Sequence, residues 1–266
     1  MIRLLNAVVR SGRYVQASDV SFGADGRMRL DVYRSRRAAA PAPIVVFFYG
    51  GSWQRGERAD YAFVGEALAS RGIVTVIADY RIYPPHGFPS FLEDGALAVR
   101  WAREHAHEIG GDPGRLFVMG HSAGAHIAAM LAVDRRYLKT VDLDGEMLRG
   151  VIGLAGPYDF LPLKDPVLKA LFGPEDGLPT TQPVTFVDGA EPPMLLLHGK
   201  ADRTVGPRNS RRLAARIRER GGAVDEIVYE GVGHVGILLA LAAPFRFWAP
   251  VLDDTVRFVR ERSGLS

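Results

Sequence analysis

The amino-acid sequence predicts an α/β fold: a mostly parallel, twisted sheet with helices on both faces and an antiparallel hairpin at its N-terminal edge. Three observations carry that expectation. Continuous apolar runs at 44–49 (IVVFFY), 73–78 (IVTVIA) and 194–198 (MLLLH) have the composition of strands buried on both faces. Segments of helical spacing stand between such runs, and this alternation is the mark of parallel βαβ units. The 266 residues, 47% of them hydrophobic and 24% charged, are enough to build one large core.

The elements follow in chain order. Residues 19–22 and 28–33 alternate around a turn at 23–26 and read as a hairpin. Residues 36–43 (RRAAAPAP) read as a surface connection. After strand 44–49 comes a helix over 61–70 that ends before Gly72, then strand 73–78. A helix over 92–107, with Leu97, Ala98 and Trp101 on one side, leads to a strand at 115–119. A small, apolar helix spans 122–133, and strands follow at 151–155 and 194–198. The charged amphipathic helix 208–219 stops at Gly221-Gly222; a strand at 223–229 and a helix at 255–262 complete the set. The chain is expected to form a single domain, 1–266, with the proline-rich insertion 156–193 as a minimal cap. The apolar segment 237–247 has the length of a core helix against the sheet; lining an acyl pocket is the alternative.

Charge excludes several partners. Lys+Arg 33 against Asp+Glu 30 gives +3, and the basic residues are nearly all Arg, spread along the chain. Nucleic-acid binding asks for a concentrated basic face. With no Cys there is no disulfide, thiolate metal site or thiol nucleophile. No metal and no cofactor is expected. The opening MIRLLNAVVRSGR is too short for a signal core, and no run approaches ~20 apolar residues, so a cytoplasmic location without a membrane partner is expected.

Ligands of such sheets bind beyond the carboxyl ends of the strands, so the loops there carry the chemistry. The loop after strand 115–119 reads Gly120-His121-Ser122-Ala123-Gly124, a G-x-S-x-G between strand and helix. Small residues two positions either side let the serine occupy a sharp turn and project its hydroxyl. A serine hydroxyl needs a base, and where this motif serves catalysis an acid and then a histidine follow in the chain. His234, in the flexible run Gly231-Val-Gly-His234, is the base candidate; His198 closes a strand and precedes the acid, which marks it as a structural strand-end residue. Asp202, four residues beyond that strand, is the acid candidate; Asp225, Glu226 and Glu230 are worse placed. His121 is expected to pack beside the turn and His126 to lie on the following helix. A developing oxyanion needs donors. The N–H groups of Gly51 and Ser52, in Gly50-Gly51-Ser52-Trp53, and of Ala123 are the candidates. Tyr49, Trp53 and Val235 are candidate substrate-pocket residues; Trp53 either walls the pocket or fills core.

These residues together resemble the α/β-hydrolase fold, and in particular the small carboxylesterases of the BD-FAE and hormone-sensitive-lipase-like group related to kynurenine formamidase. The resemblance rests on FYGGSWQRGER, IADYRIYPPHGFPSFLEDGALAVRWAREH, GGDPGRLFVMGHSAGAHIAAMLA, LRGVIGLAGPYDF, PPMLLLHGKADRTV and GVGHVG, in the family's order, over roughly residues 18–262. It implies a Ser–His–Asp hydrolase without a cofactor, with Ser122 as nucleophile, Asp202 as acid, His234 as base and Gly51, Ser52 and Ala123 as oxyanion donors. Asp79-Tyr80-Arg81 matches the family's DYR turn, expected to support the oxyanion loop. Tyr49 stands where that loop usually carries His, and either braces the loop or adds its hydroxyl to the oxyanion donors. The substrate expected is a small soluble ester with a short-acyl or aryl group, met by a monomer or homodimer. The alternatives are an arylformamidase with the same triad, a triacylglycerol lipase, and a catalytically inactive binding protein.

Overall fold

The computed structural model describes residues 14–36 and 41–265. Residues 1–13, 37–40 and 266 lie outside the described residues, and with them the opening segment and the middle of the connection 36–43.

Eight strands form one sheet in the order β1-β2-β4-β3-β5-β6-β7-β8. β1 (Tyr14–Ser21) and β2 (Arg29–Ser35) make the hairpin, with a register shift between Ala17 and Val20. β2 joins the rest by pairing antiparallel with β4 (Val74–Ala78). From there β3 (Ala42–Phe48), β5 (Gly111–His121), β6 (Leu148–Leu154), β7 (Met194–Gly199) and β8 (Val224–Tyr229) run parallel. Every residue of β3, β4 and β7 is buried, as continuous apolar strands covered on both faces must be.

Helices cover the two faces. α1 (Ala62–Ala69) and α8 (Val251–Arg262) touch each other and pack on one face. α2 (Ser90–Glu104), α3 (Ala123–Val133) and α6 (Arg208–Glu219) lie on the other, and a short turn, α4 (Arg136–Lys139), follows α3. α3 is apolar apart from His126 and buried along its whole length, the pattern of a helix enclosed by its neighbours. α6 is its opposite: only its Leu213, Ala214 and Ile217 side meets the sheet, and the chain leaves it through Gly221 at φ +82. The apolar segment 237–247 is a buried helix only at its start: α7 (His234–Leu239) buries Ile237, Leu238 and Leu239, whereas a 3-10 turn follows at Ala243–Phe245 and Phe247 is 80% exposed.

The proline-rich insertion between β6 and β7 carries more order than its composition suggests. Asp165 caps α5 (Pro166–Phe172) by accepting the Val167 amide at 2.7 Å, with Pro166 at the first helical position. Two 3-10 turns follow, Glu175–Thr181 and Pro183–Phe186. The insertion is tied down from below. Asn209 on α6 accepts the amides of Tyr158 and Asp159, both at 3.0 Å, and Gln182 accepts that of Phe160 at 2.9 Å. His126 on α3 donates from Nε2 to the Thr181 carbonyl at 2.8 Å.

Candidate active site

β5 delivers Ser122 at its carboxyl end. The serine sits at φ 53, ψ −121, a conformation that non-glycine residues rarely adopt. Close packing on either side enforces it. A Cβ added at Gly120 would lie 2.1 Å from the Gly124 carbonyl oxygen, and one at Gly124 would lie 2.0 Å from that of Phe48. The G-x-S-x-G spacing is therefore a requirement for two backbones to touch.

The serine hydroxyl donates to His234 Nε2 at 2.9 Å, and His234 Nδ1 donates to Asp202 Oδ2 at 2.7 Å. The carboxylate fixes the tautomer: Nδ1 holds the proton, leaving Nε2 free to accept. Asp202 is buried and fully engaged. Its Oδ1 accepts the Thr204 and Val205 amides, both at 2.9 Å, and His198 Nε2 stands 3.3 Å from Oδ2. Burial alone would raise this carboxyl, but hydrogen bonds from His198, His234 and the Val205 amide outweigh it and hold the group far below the usual range. His198 also donates from Nε2 to the Val205 carbonyl at 2.7 Å and accepts at Nδ1 from Ser210. It is a strand-end structural residue that also holds the acid candidate in place. His121 lies beside the turn, its ring 4.9 Å from that of His234, and donates from Nε2 to the His234 carbonyl at 2.9 Å.

The loop after β3 faces this group. Gly51, Ser52 and Trp53 have φ of 144, 55 and 58. A Cβ on Gly51 would strike the Arg55 carbonyl oxygen at 1.9 Å, so glycine is required there. The amides of Gly51, Ser52 and Ala123 meet no acceptor among the described residues. Ser52 and Ala123, with Ser122, line a cavity of about 460 Å³. Its far walls are Phe160, Pro162, Leu163 and Leu168 from the insertion, and Arg208 and Asn209 from α6. Sequence patterns carry no signal for the wall residues of the insertion, because that segment shows no periodicity.

Trp53 lines the cavity and is nearly buried against Phe172, His126 and Phe160 at 4.9, 5.2 and 6.1 Å, so it both walls the pocket and fills core. Tyr49 and Val235 are placed otherwise than expected for pocket residues. Tyr49 is fully buried behind the loop, its ring stacked between Tyr61 and Tyr80 at 5.0 and 4.8 Å. Its hydroxyl donates to Asp79 at 2.6 Å and accepts from Arg27 at 3.1 Å. Burial, with Tyr80 and Asp79 alongside, pushes its phenol far above the ordinary range, so it stays a neutral donor. Its hydroxyl is thus engaged behind the loop, with Asp79 and Arg27. Val235 points outward, 41% exposed, at the start of α7.

The DYR turn completes the brace. Tyr80 donates to the Tyr49 carbonyl at 2.8 Å; Asp79 takes the Arg58 amide at 2.7 Å and its guanidinium at 2.5 Å. Arg81 is bound to the buried Asp94 of α2. Arg27, from the hairpin, donates to the carbonyls of Tyr80 and Gly56. Among the described residues no group of three or more His, Asp or Glu is arranged to hold a metal ion, and no helix is long and apolar enough to cross a membrane.

Residues 30–217 match the model of the BD-FAE family, and the chain belongs to that family. It is 29% identical over 248 residues to the probable isoprenylcysteine alpha-carbonyl methylesterase ICMEL1 of Arabidopsis thaliana, spanning 85% of this chain and 52% of that one. It is likewise 29% identical over 246 residues to esterase LipC of Mycobacterium tuberculosis, spanning 85% and 61%. The chain thus spans only about half to three fifths of the length of these relatives. Among solved structures it is similar to apo Thermogutta terrifontis esterase 2, with a TM-score of 0.77 at 25% identity over 96% of this chain and 97% of that one. A truncated carbohydrate esterase from gut microbiota shares the fold, with a TM-score of 0.82 at 22% identity over 96% and 98%. The fold is therefore that of α/β-hydrolase esterases.

Two buried histidines make stability pH-dependent. Burial, aided by the neighbouring His234, lowers His121 to about 3, and burial lowers His126 to about 4. The unfolded chain, with histidine near 6.5, then binds more protons than the folded one below pH 6.5. Stability is expected to be full above that pH and to fall as pH drops toward 4, by about 3 kcal/mol per pH unit where both groups contribute. Urea denaturation across pH 4–7 measures this slope, and His126→Gln should roughly halve it. Tyr49→Phe should cost about 1–3 kcal/mol in the same denaturation assay, because Asp79 loses a buried donor. Steady-state kinetics of that variant should show a lower kcat with little change in KM.

Proposed function

We propose that this BD-FAE family chain is a serine carboxylesterase that hydrolyses small esters with short-acyl or aryl groups through an acyl-enzyme intermediate. The carrying observation is the unbroken hydrogen-bond line Ser122–His234–Asp202, whose serine lines a cavity together with Ser52 and Ala123. Relatives named as esterases support the reading.

The chemistry follows from the geometry. Ser122 Oγ attacks the ester carbonyl as its proton passes to His234 Nε2. Asp202 stabilises the resulting imidazolium and keeps the ring in the attacking orientation. The carbonyl oxygen, now negative, is received by the amides of Ser52 and Ala123, which border the cavity, with Gly51 as third donor. As the tetrahedral centre collapses, the C–O bond to the alcohol breaks and His234 returns its proton to the leaving oxygen. Water then enters, gives a proton to His234 and attacks the acyl carbonyl; the bond to Ser122 Oγ breaks, His234 returns the proton to Oγ, and the acid leaves.

The cavity's size falls within the range of about 300–1,000 Å³ common to small-molecule sites. The insertion that walls it is held by Asn209, Gln182 and His126, which favours compact acyl groups over long lipid chains. Ser122→Ala is expected to lower p-nitrophenyl butyrate turnover by about 10⁴-fold or more while the melting temperature stays close to wild type. Retained turnover in the folded variant would overturn the assignment.

A further inference from the structure

We propose that the cavity beside Ser122 selects esters whose acyl chain ends in a carboxylate, with Lys164 and Arg208 recognising the charge. Resting on the serine-esterase reading above, this names the substrate class of that site.

On this proposal the acyl group, rather than the alcohol, lies in the cavity. The leaving oxygen must face His234 to receive its proton, and His234 does not line the cavity, whereas Ser52 and Ala123 do. The residues that line the cavity with Ser122 are of two kinds. Trp53 and Leu163 are nearly buried and apolar; Lys164 and Arg208 are exposed at the solvent side. An acyl chain held in this cavity has both apolar surface and two cations in its walls.

Those cations are unspent. Neither Lys164 nor Arg208 has an ion pair or hydrogen-bond partner among the described residues. Asp159 and Asp202 do not line the cavity and are paired, with Arg212 at 2.8 Å and with His198 and His234. Asp165 does line the cavity, so the mouth carries two cations against one carboxylate. A depression of comparable size at the amino-terminal end of β8 shows the contrast. Its Arg218 and Arg257 are paired with Glu226 and Asp254 at 3.8 and 2.6 Å. Arg208 opens the rigid α6, and a guanidinium presents the planar fork that matches a carboxylate.

The test compares 4-nitrophenyl half-esters of glutaric, adipic and pimelic acids with the neutral pentanoate, hexanoate and heptanoate, each pair matched in chain length. Rates are corrected for spontaneous hydrolysis. At low salt kcat/KM should favour the half-ester about fivefold for at least one pair, the scale of one partly exposed ion pair. That preference should shrink toward unity in about 0.5 M NaCl. Arg208→Gln and Lys164→Gln should each lower the ratio, and Arg208→Lys, which keeps the charge and loses the fork, should retain part of it. Preference for the neutral ester in every pair, or a ratio indifferent to both glutamine variants, would overturn the proposal. Turnover of neither series would overturn the esterase reading and this one with it; turnover of the neutral series alone overturns only the carboxylate preference.

Discussion

The site depends on holding two strained turns against each other. Ser122 at φ 53 and the run Gly51-Ser52-Trp53 at φ 144, 55 and 58 adopt backbone conformations that cost of the order of 1–3 kcal/mol at each non-glycine position. Such turns persist only where their surroundings over-determine them. The parallel register of β3 with β5 pairs Phe48 with Gly120, so both strands end at the same level. Gly124 then lies against the Phe48 carbonyl, and Gly50 against His121 and Ser122. No side chain fits between the two turns, and this fixes the serine relative to the facing amides.

Behind the loop, charge and aromatic stacking do what backbone contact does in front. Tyr49, Asp79, Arg58 and Arg27 form one connected set of hydrogen bonds, with Tyr61 and Tyr80 sandwiching the Tyr49 ring. A buried carboxylate such as Asp79 is tolerable only when its oxygens are filled, and here a phenol, an amide and a guanidinium fill them. The N-terminal hairpin thereby becomes part of the site's support: Arg27 reaches from it to both ends of the loop, at Tyr49 and Gly56. Asp202 is treated alike, with two amides and two imidazoles on its two oxygens.

What the sequence made legible follows from how local each signal is. Apolar runs and helical spacing are local, so the strands and long helices were readable, and helix 208–219 matches to the residue. The β3 and β5 loops were readable because their glycines answer to backbone crowding that leaves a fixed spacing. The α5 helix and the 3-10 turns of the insertion were not, since prolines obscure periodicity and the segment is ordered by distant partners such as Asn209 and His126. Tyr49 shows the same limit. Its position in the loop suggests either bracing or oxyanion donation, and the partner of its hydroxyl, Asp79, lies thirty residues on in the chain, beyond the reach of any local pattern. Val235 next to His234 looked pocket-facing, but the turn into α7 sends it outward.

The central claim is that Ser122 is an activated nucleophile. Its most direct test is reaction with a fluorophosphonate, followed by intact mass and peptide mapping. A single adduct on Ser122, formed quickly in the native protein and lost on denaturation or in His234→Ala, is the predicted result. An unmodified protein, or an adduct on another residue while Ser122 stays free, would contradict the account.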